Sequence, residues 1–215
     1  MIKDIANLRR DYKKEVLNVS DTERNPIWQF KHWFEEALAA DVPEPNAMTL
    51  ATCGKNGRPS IRVMLLKGFD DNGFTFFTNY KSRKSREMEE NPFVGLVFNW
   101  LELERQVRIE GKVEKIPFSE SEAYFQSRPR GSQIGAWASP QSSVISSRTE
   151  IEDRVAQLSK EHESVEILPC PPHWGGYLLR PDMIEFWQGR PNRLHDRIVY
   201  EKDAHGEWMK KRLAP

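Results

Sequence analysis

The chain has 215 residues, with Lys+Arg 32 against Asp+Glu 32 and a formal net charge of +0. That length is enough to bury a real core in one domain, and the charge balance leaves no global field to recruit nucleic acid or an anionic membrane. Two cysteines (Cys53, Cys170) without CxxC spacing and five histidines without HxH or HExxH pairing imply neither a disulfide framework nor a metal centre. With no apolar run of membrane-spanning length and no leader-like N-terminus, the expectation is a soluble, cytoplasmic protein.

Residues 1–24 are strongly charged, with Arg9-Arg10-Asp11-Tyr12 followed by Lys13-Lys14, and read either as a short helix leading into a flexible segment or as a solvated tail. A single domain is expected over residues 25–215. Asn25-Pro26 opens its first helix as cap and first-turn proline, and Ile27, Phe30, Phe34 and Leu38 form the predicted core stripe. From Ala47 the period becomes that of strands. Met48–Cys53 and Pro59–Phe69 flank the turn Lys55-Asn56-Gly57, and Phe74–Thr78 follows Asp70-Asp71-Asn72-Gly73. A short helix is expected over Lys84–Glu90, then an antiparallel pair, Phe93–Trp100 and Arg105–Lys115. Ser119-Glu120-Ser121-Glu122 has the spacing of a capping box before Tyr124 and Phe125. A short helix follows over Ser132–Ala138, and Ser147-Arg148-Thr149-Glu150 caps a longer one with Ile151, Val155 and Leu158 inward. Strands return at Trp174–Leu179, Met183–Gln188, Arg193–Glu201 and Trp208–Leu213. Sequential strands joined by tight turns predict an α+β chain built on an antiparallel meander long enough to curl into a barrel.

No GxGxxG after a strand, Walker loop or GxSxG elbow is present, so a dinucleotide crevice is unsupported. The basic clusters are more informative. Arg62 and Lys67 have an odd separation, which puts them on opposite faces of an ideal strand unless a bulge or bend intervenes. Ser82-Arg83-Lys84-Ser85 precedes a helix, where free N–H groups and two cations favour phosphate; alone, such a run is more often a solvated helix start. Tyr124, Arg128 and Ser132 are spaced i, i+4, i+8. They line one face if the helix continues; Pro129 instead favours convergence from a helix end and a loop. Near the C-terminus, strand alternation would project Arg193, His195 and Arg197 to one side and Leu194, Asp196 and Ile198 to the other. Two guanidiniums flanking an imidazole on one face suit an anion or an electron-rich ring. With Trp187 nearby, the pattern suggests two phosphorylated ring compounds face to face.

The set Arg62-Val63-Met64-Leu65-Leu66-Lys67, Phe77-Thr78-Asn79 with Ser82-Arg83-Lys84, Arg105-Gln106-Val107, Ser127-Arg128-Pro129, Ser132-Gln133-Ile134-Gly135-Ala136, Gln141-Ser142-Ser143, Phe186-Trp187-Gln188-Gly189, Arg193-Leu194-His195-Asp196-Arg197 and Arg212-Leu213-Ala214-Pro215 resembles the pyridoxine (pyridoxamine) 5′-phosphate oxidase family. The resemblance implies an FMN-binding split β-barrel acting as a homodimer, with its active site at the subunit interface. It implies oxidation of pyridoxine or pyridoxamine 5′-phosphate to pyridoxal 5′-phosphate by O2. FMN would be held by Arg62, Val63, Met64, Leu65, Leu66, Lys67, Phe77, Thr78, Arg83, Lys84, Gln106, Gln141, Ser142, Trp187 and Arg197. Lys67, Tyr124, Arg128 and Ser132 would take the substrate phosphate, and Arg193, Leu194 and His195 would face its ring. Arg193, His195 and Arg197 would be the catalytic groups, and residues 1–24 a flexible lid whose Arg9 and Tyr12 close over the substrate. Gln126 departs from the family pattern, where histidine is common before Ser-Arg-Pro. Two alternatives share this barrel: a non-catalytic carrier, which has no need of Arg193 and His195, and a flavin reductase, which needs a nicotinamide site that the sequence does not signal.

Overall fold

The computed structural model describes residues 11–215, which divide into two compact units. The first contains the chain up to Leu50 together with Gly95–Gly111 and Pro181–Pro215; the second contains Ala51–Val94 and Lys112–Arg180. Five helices and nine strands are present among the described residues. Strands β1 (Ala47–Cys53), β2 (Pro59–Leu65), β3 (Gly68–Asp70), β4 (Gly73–Asn79), β5 (Phe93–Trp100), β6 (Arg105–Lys115), β7 (Trp174–Gln188), β8 (Asp196–Lys202) and β9 (Trp208–Leu213) follow the hydrogen-bonding order β2-β1-β5-β6-β7-β4-β3, with β8 on β7 and β9 on β8. No described helix is long and apolar enough to cross a membrane.

In the first unit, helix α1 (Pro26–Ala39) starts where expected, the Asn25 side chain accepting the Ile27 N–H at 2.8 Å. Its buried stripe is Ile27, Phe30, Trp33 and Ala37, whereas Leu38 is exposed, so the predicted stripe is rotated at its C-terminal end. Phe30 packs on Phe98 of β5 (Phe93–Trp100), and Trp33 meets Phe186 of β7 (Trp174–Gln188) edge-on. Each such fully buried ring contributes on the order of 1.5–3 kcal/mol. The second half of β7 pairs antiparallel with β8 (Asp196–Lys202), Trp187 opposite Arg197, and β8 pairs with β9 (Trp208–Leu213).

The predicted strand from Arg193 begins three residues late. Pro191–Arg193 is a single 3-10 turn, and Asn192 and Arg193 are left-handed, with φ of 57° and 62°. Strand alternation therefore does not place Arg193 beside His195. The two predicted strands 174–179 and 183–188 are one continuous strand, β7.

In the second unit, the end of β1 (Ala47–Cys53), β2 (Pro59–Leu65), β3 (Gly68–Asp70) and β4 (Gly73–Asn79) carry the chain to helix α2 (Arg83–Glu90). The predicted strand 59–69 is interrupted at Leu66-Lys67. Strand β4 pairs with β3 and with the first half of β7, where Asn79 lies opposite Trp174. Strand β6 (Arg105–Lys115) leads to α3 (Phe118–Ser127), which starts from Pro117 without a side-chain cap, so the expected capping box does not form. Ser121 instead turns inward and its Oγ accepts the Gly176 N–H at 3.1 Å. Helix α4 (Arg130–Ala138) begins two residues earlier than expected, and α5 (Arg148–Glu161) has no side-chain bond from Ser147. Phe125, Ile134, Ala138, Leu158, Leu168 and Trp174 close a core beneath these helices.

Candidate active site

A cavity of about 440 Å³ in the second unit gathers Lys67, Phe77, Thr78, Lys84, Tyr124, Arg128, Ser132 and Gln141, with Met64, Leu65, Asn79, Pro129 and Trp174 completing its wall. Three of these side chains are cationic and none is acidic. The arrangement follows from local sequence. Pro129 forces Arg128 into extended backbone (φ −76°, ψ 149°), which ends α3 and lets α4 start at once. Gln133 fixes that corner, its Nε2 donating to the carbonyls of Phe125, Gln126 and Arg128 at 3.1, 3.2 and 3.0 Å. Tyr124, Arg128 and Ser132 thus approach from a helix end, a corner and a first turn. The Arg128 guanidinium lies 4.6 Å over the Trp174 ring, itself in a stack with Phe77 and Tyr124. Its Nη1 is buried and has no hydrogen-bond partner among the described residues.

Lys84 is buried as well. Its Nζ donates to Gln141 Oε1 at 2.9 Å, Thr78 Oγ1 at 3.1 Å and Ser82 Oγ at 3.3 Å, all neutral acceptors. Burial, followed by repulsion from Arg62, pushes its amine down to about 8. A phosphate-bearing group such as FMN fits this donor set: a desolvated ammonium, an unsatisfied guanidinium nitrogen and hydroxyls, with no competing carboxylate on the wall.

Arg62 and Arg83 are committed elsewhere. Both meet Glu87, through Arg62 Nη2 at 3.3 Å and Arg83 Nε at 2.7 Å. Ser60 and Thr52 accept from Arg62 and donate to Glu87 Oε2. Burial alone would raise the Glu87 carboxyl, but the bonds from Ser60, Thr52 and Arg83 outweigh it and bring it to about 2. The sequence reading missed Glu87; its i+4 spacing from Arg83 was the available signal. Val63 of β2 is 70% exposed, and Leu66, just past the end of that strand, is buried. Ser142 takes a left-handed conformation, φ 70°. Gln126, the departure from family pattern, donates to the Leu168 carbonyl at 2.8 Å.

The first unit holds the other group. Trp187 and His195 rings are 4.5 Å apart, and Tyr12 stands edge-on to both at 5.8 Å. The Arg190 N–H donates to His195 Nδ1 at 3.1 Å. The neutral ring therefore carries its proton on Nε2 and presents a donor there. Burial and the charge of Arg193 hold His195 below its ordinary pKa. Arg193 and Leu194 are exposed, and Gln106 shares its face of β6 with Arg108. Arg9 lies outside the described residues.

Arg197 is clamped by Glu185, a diagonal neighbour across the β7–β8 ladder, through Nε at 2.9 Å and Nη2 at 3.0 Å. This bond raises the Arg197 pKa. The same carboxylate, 3% exposed, accepts from Arg108 at 3.1 Å, while Arg197 Nη1 reaches the Ala214 carbonyl at 3.0 Å. Glu185 was also missed, since an acid in a strand reads as an outward charge until its partners are known. Replacing Glu185 by Gln is expected to cost about 2 kcal/mol, the value for a broken buried pair reduced for the partly exposed arginines. Chemical denaturation measures it, and Arg197→Met in the same chain should recover at least half of the loss; additive losses would show that the pair is not coupled.

An antiparallel α+β fold with this cavity falls among the FMN-binding split-barrel proteins. A Nostoc punctiforme structure described as a pyridoxamine 5′-phosphate oxidase-related, FMN binding protein has the same fold, with TM-score 0.69 and 20% identity over 86% of this chain and 97% of that one. The family model for pyridoxamine 5′-phosphate oxidase matches residues 34–161, and that for the pyridoxine 5′-phosphate oxidase C-terminal dimerisation region matches 174–215. Pyridoxine/pyridoxamine 5′-phosphate oxidases of Paraburkholderia phytofirmans and Burkholderia multivorans are 54% and 56% identical, each covering 98% of this chain and 99% of its own length. The structure of PhzG from Burkholderia lata, in complex with tetrahydrophenazine-1-carboxylic acid, has TM-score 0.88 and 33% identity, covering 94% of this chain and 99% of that one. The chain belongs to the pyridoxine/pyridoxamine 5′-phosphate oxidase family of oxidoreductases.

Proposed function

We propose that the protein oxidises pyridoxine 5′-phosphate or pyridoxamine 5′-phosphate to pyridoxal 5′-phosphate with O2 as acceptor, releasing hydrogen peroxide and, from the amine, ammonia. The observation that carries this reading is the acid-free wall on which Lys67, Lys84 and Arg128 converge, Arg128 with a buried nitrogen awaiting an acceptor. FMN, when bound, would supply the redox chemistry, accepting the two electrons of the substrate's oxidation for delivery to O2.

The chain's residues bind and orient. Lys84, Thr78 and Gln141 hold FMN at the cavity wall, with Arg62 and Arg83 alongside. Arg128, Tyr124, Ser132 and Lys67 take the substrate phosphate, so that the distal end of the substrate fixes the reacting carbon. Trp187 and Arg197 contribute to the flavin site, Arg197 favouring negative charge there. Arg193 lies against the substrate ring. With Nδ1 occupied by the Arg190 N–H, His195 acts from Nε2 as a hydrogen-bond donor to the substrate and not as the base that removes its 4′ proton. The protein works as a homodimer, a reading supported by the matched dimerisation region, and its active site lies at the subunit interface.

The test is direct. Purified protein loaded with FMN should consume O2 on addition of pyridoxine 5′-phosphate and much less with unphosphorylated pyridoxine. Absence of O2 uptake with the phosphate ester would overturn the proposal.

A further inference from the structure

Glu104 ends the 3-10 turn Leu101–Leu103 in a left-handed conformation, φ 54° and ψ 38°, that glycine or asparagine adopts more readily. Although only 5% exposed, its carboxylate is spent on backbone of a distant segment, Oε2 accepting the N–H of Lys13 at 2.8 Å and of Lys14 at 3.1 Å. Its carbonyl accepts the Gly189 N–H at 2.7 Å, tying the same residue to the end of β7. Gly189 is shaped for the same segment: a Cβ there would stand 2.7 Å from Tyr12 Cγ and 3.1 Å from Glu104 Cβ. Further along, Arg190 Nη1 donates to the Glu15 carbonyl at 3.0 Å, and the Leu17 N–H donates to Asp196 Oδ2 at 3.1 Å.

We propose that Glu104 is a latch, a positioning residue whose buried carboxylate holds the N-terminal segment so that Tyr12 lies edge-on to Trp187 and His195. The proposal rests on the reading above, in which those two rings face flavin and substrate. A charged acceptor shared by two consecutive N–H groups is a strong local anchor, and the first of the anchored residues, Lys13, is next in sequence to the ring that is placed.

The test uses the full-length, FMN-loaded protein. Glu104→Gly removes the carboxylate while relieving the left-handed backbone, so the fold is kept. Amide exchange at Lys13 and Lys14 should accelerate roughly tenfold or more, as expected on losing a charged acceptor. The KM for pyridoxine 5′-phosphate should rise about tenfold with FMN affinity unchanged. Glu104→Gln, which keeps one acceptor oxygen, should restore most of the protection. In a Tyr12→Ala background, Glu104→Gly should add less than about twofold to KM, because the latch acts through that ring. Unchanged exchange in Glu104→Gly, or an equal rise in KM with and without Tyr12, would overturn the latch. Should the unaltered protein fail to oxidise the substrate, the functional reading falls while the exchange measurement still decides the latch.

Discussion

Replacing Arg128 by Met should raise the KM for pyridoxine 5′-phosphate by a few hundredfold and, in the same variant, raise the melting temperature of the ligand-free protein. Both effects have one cause. The guanidinium is held over Trp174 with a buried Nη1 that no acceptor among the described residues satisfies, and burial lowers its pKa, the sign of a cation kept in a poor solvent. An unsatisfied buried donor costs about 1–3 kcal/mol, and the stacking on Trp174 returns about 0.5–1 of it. A thioether of similar length keeps the contact and removes the donor, giving a net gain of about 1 kcal/mol, or roughly 2–4 °C at this chain length. Binding reverses the balance. A phosphate oxygen supplies the missing acceptor, and losing a desolvated charge-assisted pair costs about 3–4 kcal/mol. Thermal melts of the ligand-free variant, and KM values for phosphorylated against unphosphorylated pyridoxine, check the two halves. A fall in melting temperature of several degrees would mark Arg128 as a structural residue, and an unchanged KM ratio would remove it from the phosphate site.

How much of this was legible beforehand depended on whether a residue's role was local. Asn25-Pro26 names a helix start, and Arg128-Pro129 a helix end, because both act through the next peptide bond. The cavity wall was partly readable for the same reason: Pro129 argued against a continuous helix and favoured convergence from a helix end and a loop. Where pairing partners decide the outcome, local signals misled. The expectation of two strands, 174–179 and 183–188, fails because β7 continues through Pro181, which falls between the pairing with β4 that ends at Leu179 and the pairing with β8 that begins at Met183. Period-two reasoning put Arg193 in a strand, whereas Asn192 and Arg193 extend the Pro191 turn in left-handed backbone, which asparagine tolerates and arginine does not announce. The acids were the least legible. Glu87, Glu104 and Glu185 each hold a candidate site residue or its segment through contacts 4 to 91 positions away in sequence. Composition counts them merely as surface charge.

Lys84 carries the last expected result: FMN affinity should fall above pH 8 in the unaltered protein, and Lys84→Met should both weaken FMN binding by about a hundredfold and abolish that fall. Lys84 is 9% exposed, and its amine is bonded to neutral oxygens and held down to about 8 instead of 10.5. A bound phosphate keeps it protonated, so above pH 8 binding must take up a proton and affinity declines by up to about tenfold per pH unit. The stability of the ligand-free protein moves the other way. Because the folded-state pKa lies below the unfolded one, the unfolded chain binds more protons between pH 8 and 10.5, and this group's contribution to stability rises with pH across that window. Below pH 8 the penalty is fully present, about 3 kcal/mol for a shift from 10.5 to about 8. Lys84→Met should therefore stabilise the ligand-free protein most at neutral pH, with the gain vanishing toward pH 10.5. Flavin-fluorescence titrations across this range, compared between variant and parent, cancel the ionisations of FMN itself. Parallel pH profiles in the two proteins would show that Lys84 does not meet the phosphate, and a variant less stable than its parent at pH 7 would show that its neutral hydrogen bonds outweigh the cost of its burial.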